Sequence, residues 1–415
     1  MKARVVKCEA QRLRKAFGTR TCNLDMNRYL NQKVTGAIGP SGFSDVAADL
    51  LDVAAAVYRC ERLLPSAGST NRYTHFNLSM PLRMPDAWTG NASIYLADIL
   101  EFLGDAKWGF KFSKAAAPVP RCKISTEANN KEHVVLFSGG MDSTCGLASY
   151  MRDASTMLLS SYYTRQKTIQ QDIATDLDYG NHVQWSLTGL NGPGRSFFYR
   201  SFYFLSLAAA LADSWKIRQL TQFENGILAY AIPPSPWYAM TKHAHPRFLL
   251  LAAQLYEELF GSGAWVIENP FINLTKRQEV NTVVQRLGAK QANRLFSKTE
   301  TCWSHWACHV HGLEKKPGEP CGVCIPCIIR RTALPFEHFR VDLTKRANQN
   351  DEKMGQAFRS YLAFVNSIAA CKSAESFYLL LPSHVRHTVS YPDELNALFR
   401  LFRLFGREFL DTFFP

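Results

Sequence analysis

Ser138-Gly139-Gly140-Met141-Asp142-Ser143 follows the apolar run His133-Val134-Val135-Leu136-Phe137 and precedes a stretch of helical composition. Two adjacent glycines let the backbone turn tightly and aim successive amides inward. A helix that follows presents its positive N-terminal end to an anion. Ser138 and Ser143 add hydroxyl donors. Strand, glycine turn and helix in this order make a phosphate cradle. The Gly-x-x-x-x-Gly-Lys-Ser/Thr motif of the ordinary P-loop, with its phosphate-reaching lysine, does not occur.

A second constellation is Cys321-Gly322-Val323-Cys324-Ile325-Pro326-Cys327, with Cys302 upstream. Four thiolates form the preferred tetrahedral zinc shell, and a CxxC turn lets two sulfurs reach one ion. Gly322 and Pro326 suit the tight knuckle this demands, and the 303–320 loop returns Cys302 as the fourth ligand. Cys308, His305, His309 and His311 lie in the same loop and compete for that position. A closed four-thiolate shell leaves no place for water, so the zinc expected here is structural.

The elements that must hold these residues follow from pattern. From about residue 131, strands and helices alternate: a strand over 156–163, a helix over 166–177, a strand over 182–187 and a buried helix over 202–212. That alternation predicts an α/β fold with a parallel sheet covered on both faces. Residues 1–130 carry no catalytic motif and read as an accessory α/β domain. Ser44 caps a helix running through Tyr58. Residues 73–80 alternate like a half-buried strand, a second helix lies near 97–103, a further strand covers 108–112 and 115–120 reads as a linker. Residues 338–415 read as helical, with Phe399, Leu401, Phe402, Phe405, Phe409, Leu410, Phe413 and Phe414 forming an apolar tail that packs on this chain or a partner. The expected division is 1–130, 131–337 and 338–415.

At 415 residues and 47% hydrophobic content the chain can bury a sizeable core. Its longest apolar stretches, such as 202–212, fall short of the ~20 residues that span a bilayer. The first residues lack the apolar block of a signal peptide, so a cytoplasmic chain with no membrane partner is expected. Eleven cysteines, an odd number, then argue for reduced thiols and metal ligation rather than a disulfide framework. The net charge of +13 suits nucleic acid or an anionic substrate. Basic residues are scattered, apart from 2–15 and the region around Lys315, Lys316, Arg330 and Arg331. No stripe with interleaved aromatics emerges, so nucleic acid is not the main partner expected.

SGGMDS resembles the pyrophosphate (PP) loop of N-type ATP pyrophosphatases, which split ATP between its α and β phosphates. Together with Thr299-Glu300-Thr301-Cys302-Trp303 and CGVCIPCIIRR it resembles the 7-cyano-7-deazaguanine synthase (QueC) family over about 131–335. Pro193-Gly194-Arg195-Ser196, the FLSLA run at 204–208 and Asn273-Leu274-Thr275-Lys276-Arg277-Gln278-Glu279 resemble further segments of that family. Its members adenylate the carboxylate of 7-carboxy-7-deazaguanine, let ammonia form the amide and activate that amide with a second ATP to give the nitrile. The resemblance implies ATP, Mg2+ and Zn2+ as cofactors.

Two segments depart from the synthases. Tyr163-Thr164-Arg165-Gln166-Lys167 replaces their Tyr-Gly-Gln-Arg-His, and Glu224-Asn225-Gly226-Ile227 with Ala231-Ile232-Pro233-Pro234 occupies the stretch of their Ser-Gly-Tyr-Pro-Asp-Cys segment. With the extra N-terminal region and helical tail, the chain resembles the longer QueC-like proteins of bacterial anti-phage defence, of the QatC type. Glu224-Asn225-Gly226, His245-Pro246 and the stretch 103–108 carry that match.

What the resemblance implies falls on individual residues. Amides and hydroxyls of Ser138, Gly139, Gly140, Met141, Asp142 and Ser143 hold the leaving pyrophosphate, and Asp142 orders the loop or the metal. Arg195 reaches the α-phosphate or the substrate carboxylate, where its fork gives bidentate recognition. Arg200 is a weaker candidate of the same kind. Lys276 is a second phosphate ligand or a plain helix-start lysine. His243 and His245 transfer protons or serve structure, and Cys145 belongs to the core. The acceptor implied is an amine of a partner protein encoded in the same defence operon. A stand-alone nitrile synthase using ammonia and a non-catalytic nucleotide or nucleic-acid binding module are the alternatives.

Overall fold

A computed structural model describes residues 5–12, 19–25, 32–63, 73–116, 122–126, 131–150, 156–161, 164–187, 198–236, 238, 240–261, 263–302 and 319–415. These fall into two compact units, within Met1–Ser138, Asp153–Gln222 and Thr241–Glu268, and within Gly139–Arg152, Phe223–Met240 and Asn269–Pro415.

The first unit is α/β and holds two main sheets. One is mixed and four-stranded, built from β1 (Val5–Arg12), β2 (Thr19–Asp25), β5 (Tyr73–Leu82) and β6 (Lys107–Lys114) in the order β2-β1-β5-β6. The pairs β1–β2 and β1–β5 are antiparallel, and β5–β6 is parallel. Two short strands, β4 (Ala37–Ile38) and β7 (Lys123–Ile124), pair separately. Helix α1 (Asp45–Leu63) starts where the Ser44 hydroxyl accepts the Ala47 N–H at 3.1 Å, as its sequence predicts. Helix α2 (Asn91–Gly104) begins six residues before the expected span. Its N-cap is Gly90, without a capping side chain, so the sequence carries no start signal there.

The second sheet has six strands in the order β12-β11-β8-β9-β10-β3. They are β3 (Gln32–Thr35), β8 (His133–Leu136), β9 (Thr156–Ser161), β10 (His182–Leu187), β11 (Gln219–Thr221) and β12 (Val266–Glu268). All pairs are parallel except β10–β3. Helices α4 (Thr164–Asp176), α5 (Arg200–Ser214) and α7 (Pro246–Phe260) belong to the same unit. The chain steps outward from β8 to β10, then returns to place β11 beside β8. Strand order therefore reverses between β8 and β11. In open α/β sheets, ligands sit beyond the carboxyl ends of the strands at such a reversal.

His182 opens β10, with its Nε2 2.7 Å from the Ser160 hydroxyl, and burial holds its imidazole down at about 4. The unfolded chain takes up this proton first as pH falls. The stabilisation is therefore complete above pH 6.5 and lost toward pH 4. The loss should reach ~3 kcal/mol, and His182→Gln should lower the pH slope of urea-unfolding stability by roughly one proton. An unchanged slope in the variant would remove His182 as the source.

The second unit is helical. It comprises α3 (Met141–Ser149), α6 (Gly226–Ala229), α8 (Lys276–Leu287), α9 (Ala289–Lys298), α10 (Ile325–Ala333), α11 (Arg346–Asn350), α12 (Gln356–Ala370), α13 (Ala374–Tyr378), α14 (Ser383–Arg386) and α15 (Asp393–Phe413). Phe402, Phe405, Phe409 and Phe413 of α15 recur at three- and four-residue spacing and are buried with Phe358 and Tyr361 of α12. The apolar tail thus packs on its own chain. Among the described residues no helix is long and apolar enough to cross a membrane.

Candidate functional site

The chain leaves β8 and enters α3 through the glycine turn. Gly139 has φ +75°, a conformation open to glycine at little cost, and Gly140 is the N-cap of α3. The Ser143 hydroxyl donates to the Gly140 carbonyl at 3.1 Å, and the Thr144 hydroxyl donates to it at 2.8 Å. The carbonyl of Ser138, which is the last residue of the first unit's segment, accepts from Gln170 Nε2 at 3.1 Å. Ser138 is exposed, whereas Gly139–Ser143 are buried.

Asp142, in the first turn of α3, is 5% exposed, and both of its oxygens are engaged. Oδ1 accepts the Asn225 N–H at 3.2 Å and Asn225 Nδ2 at 2.9 Å, while Oδ2 is ion-paired with Lys276 Nζ. Lys276 is the first residue of α8, where Thr275 and Gln278 form a reciprocal capping box. A cation there opposes the helix dipole, and at 1% exposure it must also be compensated for lost water. Asp142 supplies that compensation. It raises the Lys276 pKa against burial, while Lys276 and Asn225 hold the Asp142 carboxyl well below the usual carboxylate range, also against burial. A local rule broken at such electrostatic expense marks this spot as the candidate functional site.

Glu279, one turn further along α8, is fully buried, and neither carboxyl oxygen meets a donor among the described residues. Burial first, and then the Asp142 charge, push its pKa well above the ordinary 4.5. As the neutral acid it can donate to Asp142. A folded pKa above the unfolded one gives stability that is full below pH 4.5 and lost as pH rises. Glu279→Gln, which cannot ionise, should therefore lie within ~1 kcal/mol of wild type at low pH and gain on it by up to ~1.4 kcal/mol per pH unit above. Denaturant titrations at several pH values measure this, and a variant that loses ground as pH rises would show an ionised Glu279 instead.

The four thiols form a separate buried group in the same unit. Cys302, Cys321, Cys324 and Cys327 place their sulfurs within 4.8 Å of one another. The Cys302–Cys324 and Cys321–Cys327 separations are 3.9 and 3.8 Å. Sulfurs about 2.3 Å from a tetrahedral zinc stand about 3.8 Å apart, so the group fits a zinc ion. The amides of Cys321 and Cys324 point at the sulfurs of Cys302 and Cys321, each at 3.4 Å. Gly322, at φ +85°, makes the knuckle possible, because a Cβ there would strike the Val341 carbonyl oxygen. Cys308, His305, His309 and His311 lie outside the described residues.

Arg195 also lies outside them. Arg200 begins α5 with its guanidinium 5.7 Å above the Phe204 ring. His245 is the N-cap of α7, its Nδ1 accepting the Arg247 N–H at 3.2 Å, and His243 Nδ1 lies 3.1 Å from the Thr241 hydroxyl. Cys145 is fully buried, and its thiol is raised by burial.

Arg330 and Arg331, which fall in one of the two denser runs of basic residues in the sequence, are buried ion-pair members. Arg330 makes a bidentate pair with Glu337, both bonds 2.6 Å, and donates to the hydroxyls of Thr299 and Thr301 beside Cys302. Arg331 pairs with Asp342 at 3.0 Å. Glu279 carries no sequence signal beyond its place one turn after Lys276, and Asn225 shows none of its role as a double donor to Asp142.

Comparison of the chain with models of known families, with curated proteins and with solved structures gave no significant match.

Proposed function

We propose that this protein is an ATP-dependent carbon–nitrogen ligase with a PP-loop ATP pyrophosphatase domain, similar to the 7-cyano-7-deazaguanine synthases. The observation that carries the reading is the glycine turn itself, with Gly139 at φ +75° and Gly140 as the N-cap of α3, whose first amides suit an anion. A four-thiol group that fits zinc, which the same family resemblance calls for, supports it further.

In this reading a 7-deazaguanine carboxylate oxygen attacks the α-phosphorus of ATP, pyrophosphate leaves, and an amine displaces AMP from the acyl-adenylate to form an amide. Amides of the 138–143 loop, with the exposed Ser138 hydroxyl, hold the pyrophosphate. Both Asp142 oxygens are already engaged. That favours ordering of the loop over direct metal binding, with Lys276 acting through Asp142. Mg2+ would be held chiefly by the nucleotide's phosphates, whose charge it neutralises. Zinc would hold the Cys302 and 321–327 segments together. Arg195 remains the candidate for the α-phosphate or the substrate carboxylate. The altered 224–234 stretch favours an acceptor larger than ammonia, an amine of a partner protein in anti-phage defence.

The test incubates the protein with ATP, Mg2+ and 7-carboxy-7-deazaguanine, with ammonia or with the products of neighbouring genes, and reads AMP, pyrophosphate and product masses. Mass added to a partner protein is the expected result. A Ser138→Ala variant should form AMP roughly 10²-fold more slowly, as when one preorganised donor to a developing charge is removed. Free nitrile without a protein adduct would instead make this a stand-alone synthase. No AMP in any mixture would overturn the ligase reading in favour of a binding module.

A further inference from the structure

The first unit contains another thiol cluster, remote in sequence from the loop and from the 302–327 cysteines. Cys8 and Cys22 stand directly opposite each other on β1 and β2. Cys60, near the C-terminal end of α1, brings its sulfur to the same point. The three sulfurs lie within 4.8 Å of one another, with Cys22 and Cys60 3.9 Å apart. Cys8 and Cys60 are fully buried and Cys22 is half-buried. The spacing matches the 3.8–3.9 Å of the four-thiol group and the edge of a tetrahedral zinc–sulfur shell, and is far from the ~2.05 Å of a disulfide.

We propose that Cys8, Cys22 and Cys60 form a three-thiolate zinc site whose fourth coordination position is open on the half-buried Cys22 side. Among the described residues no fourth ligand joins the group. The stretches adjoining its elements in the chain, 1–4, 13–18, 26–31 and 64–72, contain no Cys, His, Asp or Glu. The shell is thus of the kind that keeps a position for water or another exchangeable ligand, unlike the closed shell of the second unit. The ion would tie helix α1 to the paired strands β1 and β2, which makes its binding part of the folding of that region.

Full-length protein freed of loosely bound metal should contain about two zinc ions per chain, and Cys22→Ser protein about one. In wild type, iodoacetamide should label Cys22 slowly until a chelator is added, a readout that needs no variant. Cobalt-substituted wild type should show a thiolate-to-metal absorption that shifts on adding imidazole and is missing from Cys22→Ser. Equal metal content in the two proteins, or a Cys22 labelling rate indifferent to chelator, would overturn the site. A Cys8–Cys22 or Cys22–Cys60 disulfide in the unreduced peptide map would replace it with a redox pair. A cobalt spectrum in which no component responds to imidazole would overturn the open position.

Discussion

Lys276→Met is expected to destabilise the second unit by about 3–5 kcal/mol, the range for removing one partner of a buried ion pair. The methionine fills similar volume, so packing loss is small. What remains is Asp142, 5% exposed, with its negative charge deprived of its only cationic partner among the described residues. Asn225 still donates twice to Oδ1, but two neutral donors do not replace an ammonium. Asp142 must then protonate or move, and either event disturbs the first turn of α3, which carries the loop amides. Under the ligase activity proposed above, AMP formation should then fall by about 10²-fold or more, the scale of a 1 Å misplacement. Removing both charges, as Asp142→Asn with Lys276→Met, should cost less stability than Lys276→Met alone, while activity stays low. A single variant that loses under ~1 kcal/mol would show the pair to be dispensable and solvent-compensated.

Cys324→Ser should have a comparable or larger effect on the same unit. Cys324 is the N-cap of α10, and its sulfur is buried with those of Cys302, Cys321 and Cys327. Structural zinc in four-ligand sites contributes apparent binding free energies of ~10–16 kcal/mol, comparable to or larger than a typical domain's net stability of ~5–15 kcal/mol. Loss of one thiolate should therefore release the metal, loosen residues 319–345 and expose them to proteolysis, with loss of helical circular dichroism. The Arg330 bonds to Thr299 and Thr301 should fail with it, since both threonines lie just before Cys302. Wild-type protein that binds no zinc and melts unchanged in chelator would contradict this account.

The glycine turn and Cys321, Cys324 and Cys327 were legible because their chemistry is written within a few residues, two glycines or thiols three apart, whereas Cys302, outside that run, competed with Cys308 and the loop histidines for the fourth place. Helix α1 and the aromatic face of α15 were legible from capping and periodicity. Other features depend on partners far along the chain. Asn225 meets Asp142 across 83 positions, and nothing around Asn225 marks it as a double donor. Lys276 reads as a phosphate ligand or a plain helix-start lysine until Asp142 is seen beside it. Arg330 and Arg331 stand out in the sequence only as basic residues, because their acidic partners, Glu337 and Asp342, fall outside their own helix. Strand β3 is only four residues long and mostly polar, too short for an alternation to register.

That short strand sets a limit on how the protein can be taken apart. Residues Gln32–Thr35 lie antiparallel along β10, so a segment far upstream of β8 closes the rim of the six-stranded sheet. The Ser44 hydroxyl reaches Asp213, and Glu61 accepts the amides of Phe198 and Tyr199 ahead of α5. A fragment beginning at 131 would shed all of these ties at once and bare the backbone of β10 to any passing strand. Such a truncation should yield self-associating material rather than a minimal folded domain. Grafting the loop-bearing segment onto another scaffold would fail for the same reason, unless a substitute strand were supplied to cover that rim.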